Sequence, residues 1–177
     1  MTSHNLLLIG LFLPSPGGGQ EVNHGHKGKG SLLHLLIDGL GNPLAITTTG
    51  AGGDERVEIQ KLIDPVKGIL EKSQKEKMVI FEADKGYDAA WLRKTLLSQG
   101  FFPLIPYRKI RGRDIPEMAK VCATFNLSRK HWMAERAFSW LKRRCRRSML
   151  RWERIAQIWT GFAVMGLIYT WLKVLFG

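Results

Sequence analysis

Two acids have settings that suit chemistry, Asp84 and Glu135. Asp84 closes a short apolar run, Met78 to Phe81, and opens a Lys85-Gly86-Tyr87 turn ahead of a helical stretch, Asp88 to Gln99. A carboxylate at the carboxyl end of a buried strand lies in the crevice where α/β sheets bind their ligands. Gly86 reads as the residue that lets the backbone turn there without Cβ strain. Glu135 lies in a helix that Ser128 can cap. Four residues of helix advance about 400° and seven about 700°, so His131, Glu135, Ser139 and Lys142 share one face. Trp132, Phe138, Leu141 and Cys145 form the neighbouring apolar stripe. A lone acid on an amphipathic helix is commonly solvated surface. Here it stands beside the apolar stripe, between His131 and Lys142, which favours a working role.

Two carboxylates on a basic chain suggest metal-assisted phosphodiester chemistry. Mg²⁺ or Mn²⁺ takes oxygen ligands. Two such ions about 3.5–4 Å apart steady the attacking and leaving oxygens. The charge agrees with that substrate: 27 Lys and Arg against 15 Asp and Glu give a formal +12, an excess that suits a polyanion. Its densest part is Lys142, Arg143, Arg144, Arg146, Arg147, Arg151 and Arg154, interrupted by the single acid Glu153. Trp140 and Trp152 read as core residues, with base stacking as the other use. Cys122 and Cys145 make no CxxC pair, so neither a zinc nor a disulfide framework is expected, and the chain is placed in the cytoplasm. His24 and His26 lie in a polar glycine-rich stretch that reads as a solvated turn rather than a metal site.

The elements that would position these acids follow from apolar runs and their breakers. Strands are expected at Leu6 to Leu13, Leu32 to Ile37, Leu44 to Thr49, Met78 to Phe81 and Phe101 to Pro106, the last at an edge because of its prolines. Asp54 can cap a helix from Glu55 to Leu62, which Asp64-Pro65 should interrupt before a second piece, Val66 to Glu71. A charged loop spans Lys72 to Lys77, a basic loop Tyr107 to Asp114, and a short helix Ile115 to Phe125. The last helix runs from Ile155 to Leu175. Leu6 to Leu13 has the length of a signal core but no basic residues ahead of it, so a buried strand is preferred.

Three segments resemble the DDE transposases of bacterial insertion sequences. Gly28 to Ala51 is similar to that family's second and third strands. Ala83 to Ala89, with Asp84-Lys85-Gly86-Tyr87, is similar to its second catalytic aspartate and the turn after it. Trp132 to Arg143 is similar to its glutamate helix, with Glu135 and Lys142 at matching places, while His131 and Ser128 depart from the Arg and Tyr of one family pattern. The resemblance implies an α/β fold: a ribonuclease H-like mixed sheet flanked by helices, in one catalytic domain over 1–177. It implies DNA cleavage and strand transfer with Mg²⁺ (or Mn²⁺) on Asp84 and Glu135. The partner would be DNA, at transposon ends and target, in a homo-oligomer or alone, with no small-molecule substrate. His131, Lys142, Arg143, Arg144, Arg146 and Arg147 would hold the DNA.

The first strand departs from that family. Its first catalytic aspartate would fall on Ile9, followed by Gly10, and no Asp or Glu occurs from Met1 to Gln20. Asp38 is the nearest substitute, past the end of the second strand. No room for the family's N-terminal DNA-recognition region lies ahead of Leu6. The expectation is therefore a catalytic fold with a defective centre. A non-catalytic DNA-binding remnant is the second reading. A small membrane protein anchored by 155–176 is the third.

Overall fold

The computed structural model describes residues 5–73, 78–108, 128–144 and 150–177, without the side chains of 69, 71–73, 128–131, 134 and 144. The strands are β1 (Asn5–Pro14), β2 (Asn23–Gly25), β3 (Gly28–Asp38), β4 (Pro43–Gly50), β5 (Val79–Glu82) and β6 (Phe101–Leu104). The helices are α1 (Glu58–Ser73), α2 (Ala90–Ser98), α3 (Ser128–Arg144) and α4 (Ala156–Phe176), with a 3₁₀ turn at Lys85–Tyr87. One sheet runs β2-β3-β1-β5-β6, and β4 also pairs with β3. β1 lies antiparallel to β3, from Leu6 opposite Asp38 to Pro14 opposite Gly30, and parallel to β5, with Leu7 opposite Glu82. This mixed sheet covered by helices on both faces is the ribonuclease H-like arrangement the resemblance implies.

Alternation along the strands divides the core into two layers. Leu6 and Leu8 of β1, with Leu36, Val79 and Phe81, pack against Ile59, Leu62, Ile63 and Val66 of α1 and Leu92 and Leu96 of α2. The four α1 residues recur at helical spacing and make its buried stripe. Leu7, Ile9 and Leu11 point the other way, with Leu33, Leu35 and Ile37, against Met133, Ala137, Phe138 and Leu141 of α3 and Trp159, Ala163 and Leu167 of α4. Each fully buried Leu or Phe contributes roughly 1.5–3 kcal/mol relative to exposure.

Several expectations are corrected here. Pro65 lies inside an unbroken α1 instead of dividing it. Its ring removes one helical N–H donor, the one that would bond the carbonyl of Lys61. Asp54 does not cap a helix beginning at Glu55: its carboxylate binds the backbone N–H and guanidinium of Arg56 in a turn, and α1 begins at Glu58. The polar stretch from Gln20 to Gly30 is not only a turn, because it contains β2 and the start of β3. Trp152 is 62% exposed, not core. Pro103 sits in the outermost strand, where its missing N–H costs no ladder bond. The expected short helix Ile115 to Phe125, most of the basic loop after Arg108, and Cys122 and Cys145 lie outside the described residues.

Candidate active site

Asp84 leaves the sheet two residues after Glu82, the last residue of β5 paired with β1. Continued two residues past the paired strands, the same register would bring it level with Ile9. Its carboxylate accepts the backbone N–H of Gly86, which fixes the 3₁₀ turn over Lys85–Tyr87. Gly86 is needed there for space rather than for a left-handed backbone. A Cβ on it would stand 2.6 Å from Asp84 Oδ1. Gly86→Ala should therefore push the Asp84 carboxylate out of the turn and lower stability by about 1–2 kcal/mol, read from the denaturant midpoint.

The turn is braced from behind. The buried Asp88 carboxylate accepts from Arg93 Nη2 at 2.9 Å and from the Arg108 backbone N–H at 2.8 Å. Arg93 also donates to the Ile105 carbonyl at 2.7 Å and lies 3.7 Å over the Tyr107 ring. Arg108 in turn donates through Nε to the Lys85 carbonyl at 2.8 Å and through Nη2 to the Gly86 carbonyl at 3.3 Å. Two arginines thus tie the backbone that carries Asp84 to the end of β6.

A cavity of about 170 Å³ opens on the other side of Asp84, with Gly10, Phe12, Glu55 and Tyr87 in its wall. Glu55 was not singled out by its sequence context, where it is one acid in an Asp-Glu-Arg run. Its carboxylate comes within 3.4 Å of the point where a Cβ on Gly10 would sit, as does the Tyr87 hydroxyl. Burial, then the charge of Glu55 and its hydrogen bond, then the charge of Asp84, push the Tyr87 hydroxyl far above the usual tyrosine range. Tyr87 therefore keeps its proton. His34 Nδ1 lies 3.3 Å from the Tyr87 hydroxyl, and His34 Nε2 lies 2.9 Å from Thr49 Oγ1. A carboxylate only accepts, so Tyr87 donates to Glu55 and its oxygen receives His34 Nδ1–H. Nε2 then accepts from Thr49. This chain of hydrogen bonds ends on Glu55. Burial lowers His34 to about 4, against a smaller opposing effect of the Glu58 charge, so the ring is neutral, as the chain requires.

Glu135 is exposed on α3, and it is not among the described residues that line the cavity. Its helix nevertheless covers the sheet face to which Ile9 belongs. Lys142 and Arg143 are exposed and open to solvent. The side chains of His131 and Arg144 lie outside the described set, as do Arg146 and Arg147 altogether. Trp132 is not part of the buried stripe: it is 54% exposed, with the Arg136 guanidinium 4.7 Å from its ring centre, and Met133 and Ala137 take the inner face instead. Arg151 leaves the basic face altogether. It is fully buried, donates to Ser31 Oγ at 2.8 Å, to the Gln20 carbonyl and to the Glu153 carbonyl, and lies 5.0 Å over Trp159. Asp38 is occupied by its own turn, accepting from Leu40 N, Asn42 N and Asn42 Nδ2.

These donors do not fit a two-ion centre. Ile9 offers a hydrocarbon side chain, and among the described residues no three Asp, Glu, His or Cys side chains converge as a metal site.

The family described as the transposase DDE domain matches residues 12–171. The chain is 31% identical over 140 residues to the protein assigned as transposase of insertion sequence element IS402 from Burkholderia cepacia; the match covers 77% of this chain and 60% of that protein. Among solved structures, the piggyBac transposase synaptic complex with hairpin DNA gives 16% identity and a TM-score of 0.49, over 68% of this chain and 26% of that one. The catalytic core of BIV integrase gives 12% identity and a TM-score of 0.48, over 94% and 82%. The Mos1 mariner paired-end complex with Mn gives 13% identity and a TM-score of 0.43, over 94% and 52%. With most of its length matched, the chain belongs to the transposase DDE domain family.

Proposed function

We propose that this chain is a DNA-binding transposase domain of the cytoplasm whose cleavage centre lacks its first carboxylate. The observation that carries the reading is Ile9. Its side chain packs in the layer under α3, and continuing the β1–β5 register two residues past Glu82 brings it level with Asp84. That is where an acid would have to stand to act with Asp84 and with Glu135 on α3. Asp84 and Glu135 are the remaining acids of the centre. Lys142, Arg143, Arg144, Arg146 and Arg147, with His131, supply the face toward DNA. Phosphate contacts of this kind position a duplex without reading its sequence. In the family a divalent ion, Mg²⁺ or Mn²⁺, supplies the charge stabilisation of phosphodiester cleavage.

Ile9→Asp should tighten Mn²⁺ binding at least about tenfold, because a third oxygen ligand joins a hard cation. Isothermal titration of the purified protein checks this, with Ile9→Asn as the control for inserting polarity into an apolar layer. An Ile9→Asp protein with the affinity of the unaltered chain would remove the reading. So would Mn²⁺-dependent nicking of duplex DNA by the unaltered chain that Asp84→Ala abolishes, since the centre would then be complete as it stands.

One feature favours a membrane instead: α4 is long and apolar enough to cross a bilayer by length and composition. Its inner face is nevertheless seated on this fold. Trp159 and Ala163 are fully buried, Thr160 bonds Thr48 at 3.0 Å, and Trp171 Nε1 donates to the Pro43 carbonyl at 2.6 Å. A helix so engaged covers the sheet.

A further inference from the structure

The cavity beside Asp84 has a basic side as well as an acidic one. His26 and Lys27 line it together with Asp84 and Glu55. Both come from the tip of the β2–β3 hairpin, which joins Gly25 to Gly28. That tip is pinned. A Cβ on Gly25 would stand 2.2 Å from the Ala51 carbonyl oxygen, so only glycine allows the hairpin to lie this close to the end of β4. The Gly52 N–H donates to Asn23 Oδ1 at 2.7 Å and ties the two together. Gly28, at φ 110°, takes the left-handed backbone that closes the turn. Lys27 is held near the cavity by backbone geometry, yet its own side chain is exposed and makes no ion pair among the described residues.

A pinned hairpin tip that brings an exposed ammonium to the wall of an open cavity shared with Asp84, with no ion pair between them, suits an anionic ligand that enters there. We propose that Lys27 holds a backbone phosphate of DNA over Asp84, with His26 as a second hydrogen-bond donor to the same strand. This rests on the reading of the chain as a DNA-binding transposase domain, and it names the group that brings the strand to the acid. Lys27 is then a substrate-positioning residue. Its ammonium acts as a point charge on the phosphate oxygens, a role that arginine can share.

The test is duplex binding measured by fluorescence anisotropy, with a labelled 30-base-pair DNA in EDTA over a range of KCl. Removing one phosphate contact lowers the slope of log K against log salt by about 0.9. Lys27→Ala should show that loss and a roughly threefold to tenfold weaker affinity at moderate salt, with an unchanged thermal midpoint. Lys27→Arg should keep the slope. Asp84→Asn should tighten binding, because it removes a negative charge from beside the phosphate. If Lys27→Ala keeps the slope while the unaltered chain binds DNA, the inference fails and the DNA-binding reading stands. If Lys27→Ala lowers the slope but Asp84→Asn changes nothing, the phosphate is held away from Asp84 and the inference also fails. Absence of duplex binding by the unaltered chain would overturn both.

Discussion

Arg151→Ala should destabilise the fold by roughly 3–5 kcal/mol. The guanidinium reaches into a closed site between the β2–β3 region and the start of α4. There it satisfies Ser31 Oγ and the carbonyls of Gln20 and Glu153, and its plane lies over Trp159. Truncation leaves several buried acceptors without donors, each costing about 1–3 kcal/mol, and empties the space over the indole. Burial opposes the charge and lowers the pKa of Arg151, while Glu21 and Glu153 favour it. Arg151→Lys should recover only a minor part, because one ammonium cannot span three acceptors in a fork. Urea denaturation at neutral pH gives the answer. A midpoint shift with an unchanged slope reports the loss as native-state stability. A shift within about 0.5 kcal/mol, the range of ordinary surface substitutions, would show that the site is solvated and Arg151 dispensable.

Acid should destabilise the protein through one buried histidine. His34 is ordinary at 6.5 when unfolded and about 4 when folded, chiefly because burial excludes the charged form. The groups facing it are the Tyr87 hydroxyl and Thr49 Oγ1, with Glu58 the acid that opposes the shift. The unfolded chain therefore takes up a proton that the folded chain refuses. The contribution of His34 is complete above about pH 6.5 and is lost as pH falls through 4. Linkage gives about 2 kcal/mol lost at pH 5 and roughly 3 kcal/mol at the acid end. Urea midpoints at pH 7.5 and pH 5 check this against His34→Gln, which should be less stable at pH 7.5 and much flatter between the two. Equal pH slopes in the two proteins would place the acid sensitivity elsewhere.

β1, β3, β4, β5 and β6 were legible because each holds an apolar or β-branched run bounded by Gly, Pro or Asp, whereas β2, Asn-His-Gly, holds none. Asp84 was legible because a strand, an acid and a tight turn are contiguous in sequence. What escaped is set by contacts between distant residues. Pro65 looked like a break, yet α1 runs through it. Arg151 looked like one more cation in a basic run, and acceptors at Gln20 and Ser31, more than a hundred residues earlier, join the Glu153 carbonyl in burying it. Trp152 is the converse, an aromatic that no neighbouring layer covers. Glu55, His26 and Lys27 lie near Asp84 only because the hairpin and the turn before α1 fold over the same end of β1.

The position of β1 has a consequence for synthesis on the ribosome. It is the strand on which both halves of the sheet depend, yet its two neighbours arrive at very different times. β3 pairs with it through a local excursion, whereas Asn5 waits for Ile80 before its other side is closed. At about 5–20 residues per second of elongation, the interval is roughly 4–15 s. Throughout that interval a nascent chain presents Leu6, Leu7 and Leu8 along an open hydrogen-bonding margin, a template for unwanted strand addition. The chain's vulnerability to misassembly is thus concentrated in the time between two codons, and slowing translation after β4 should lower the yield of soluble product more than slowing it after β5.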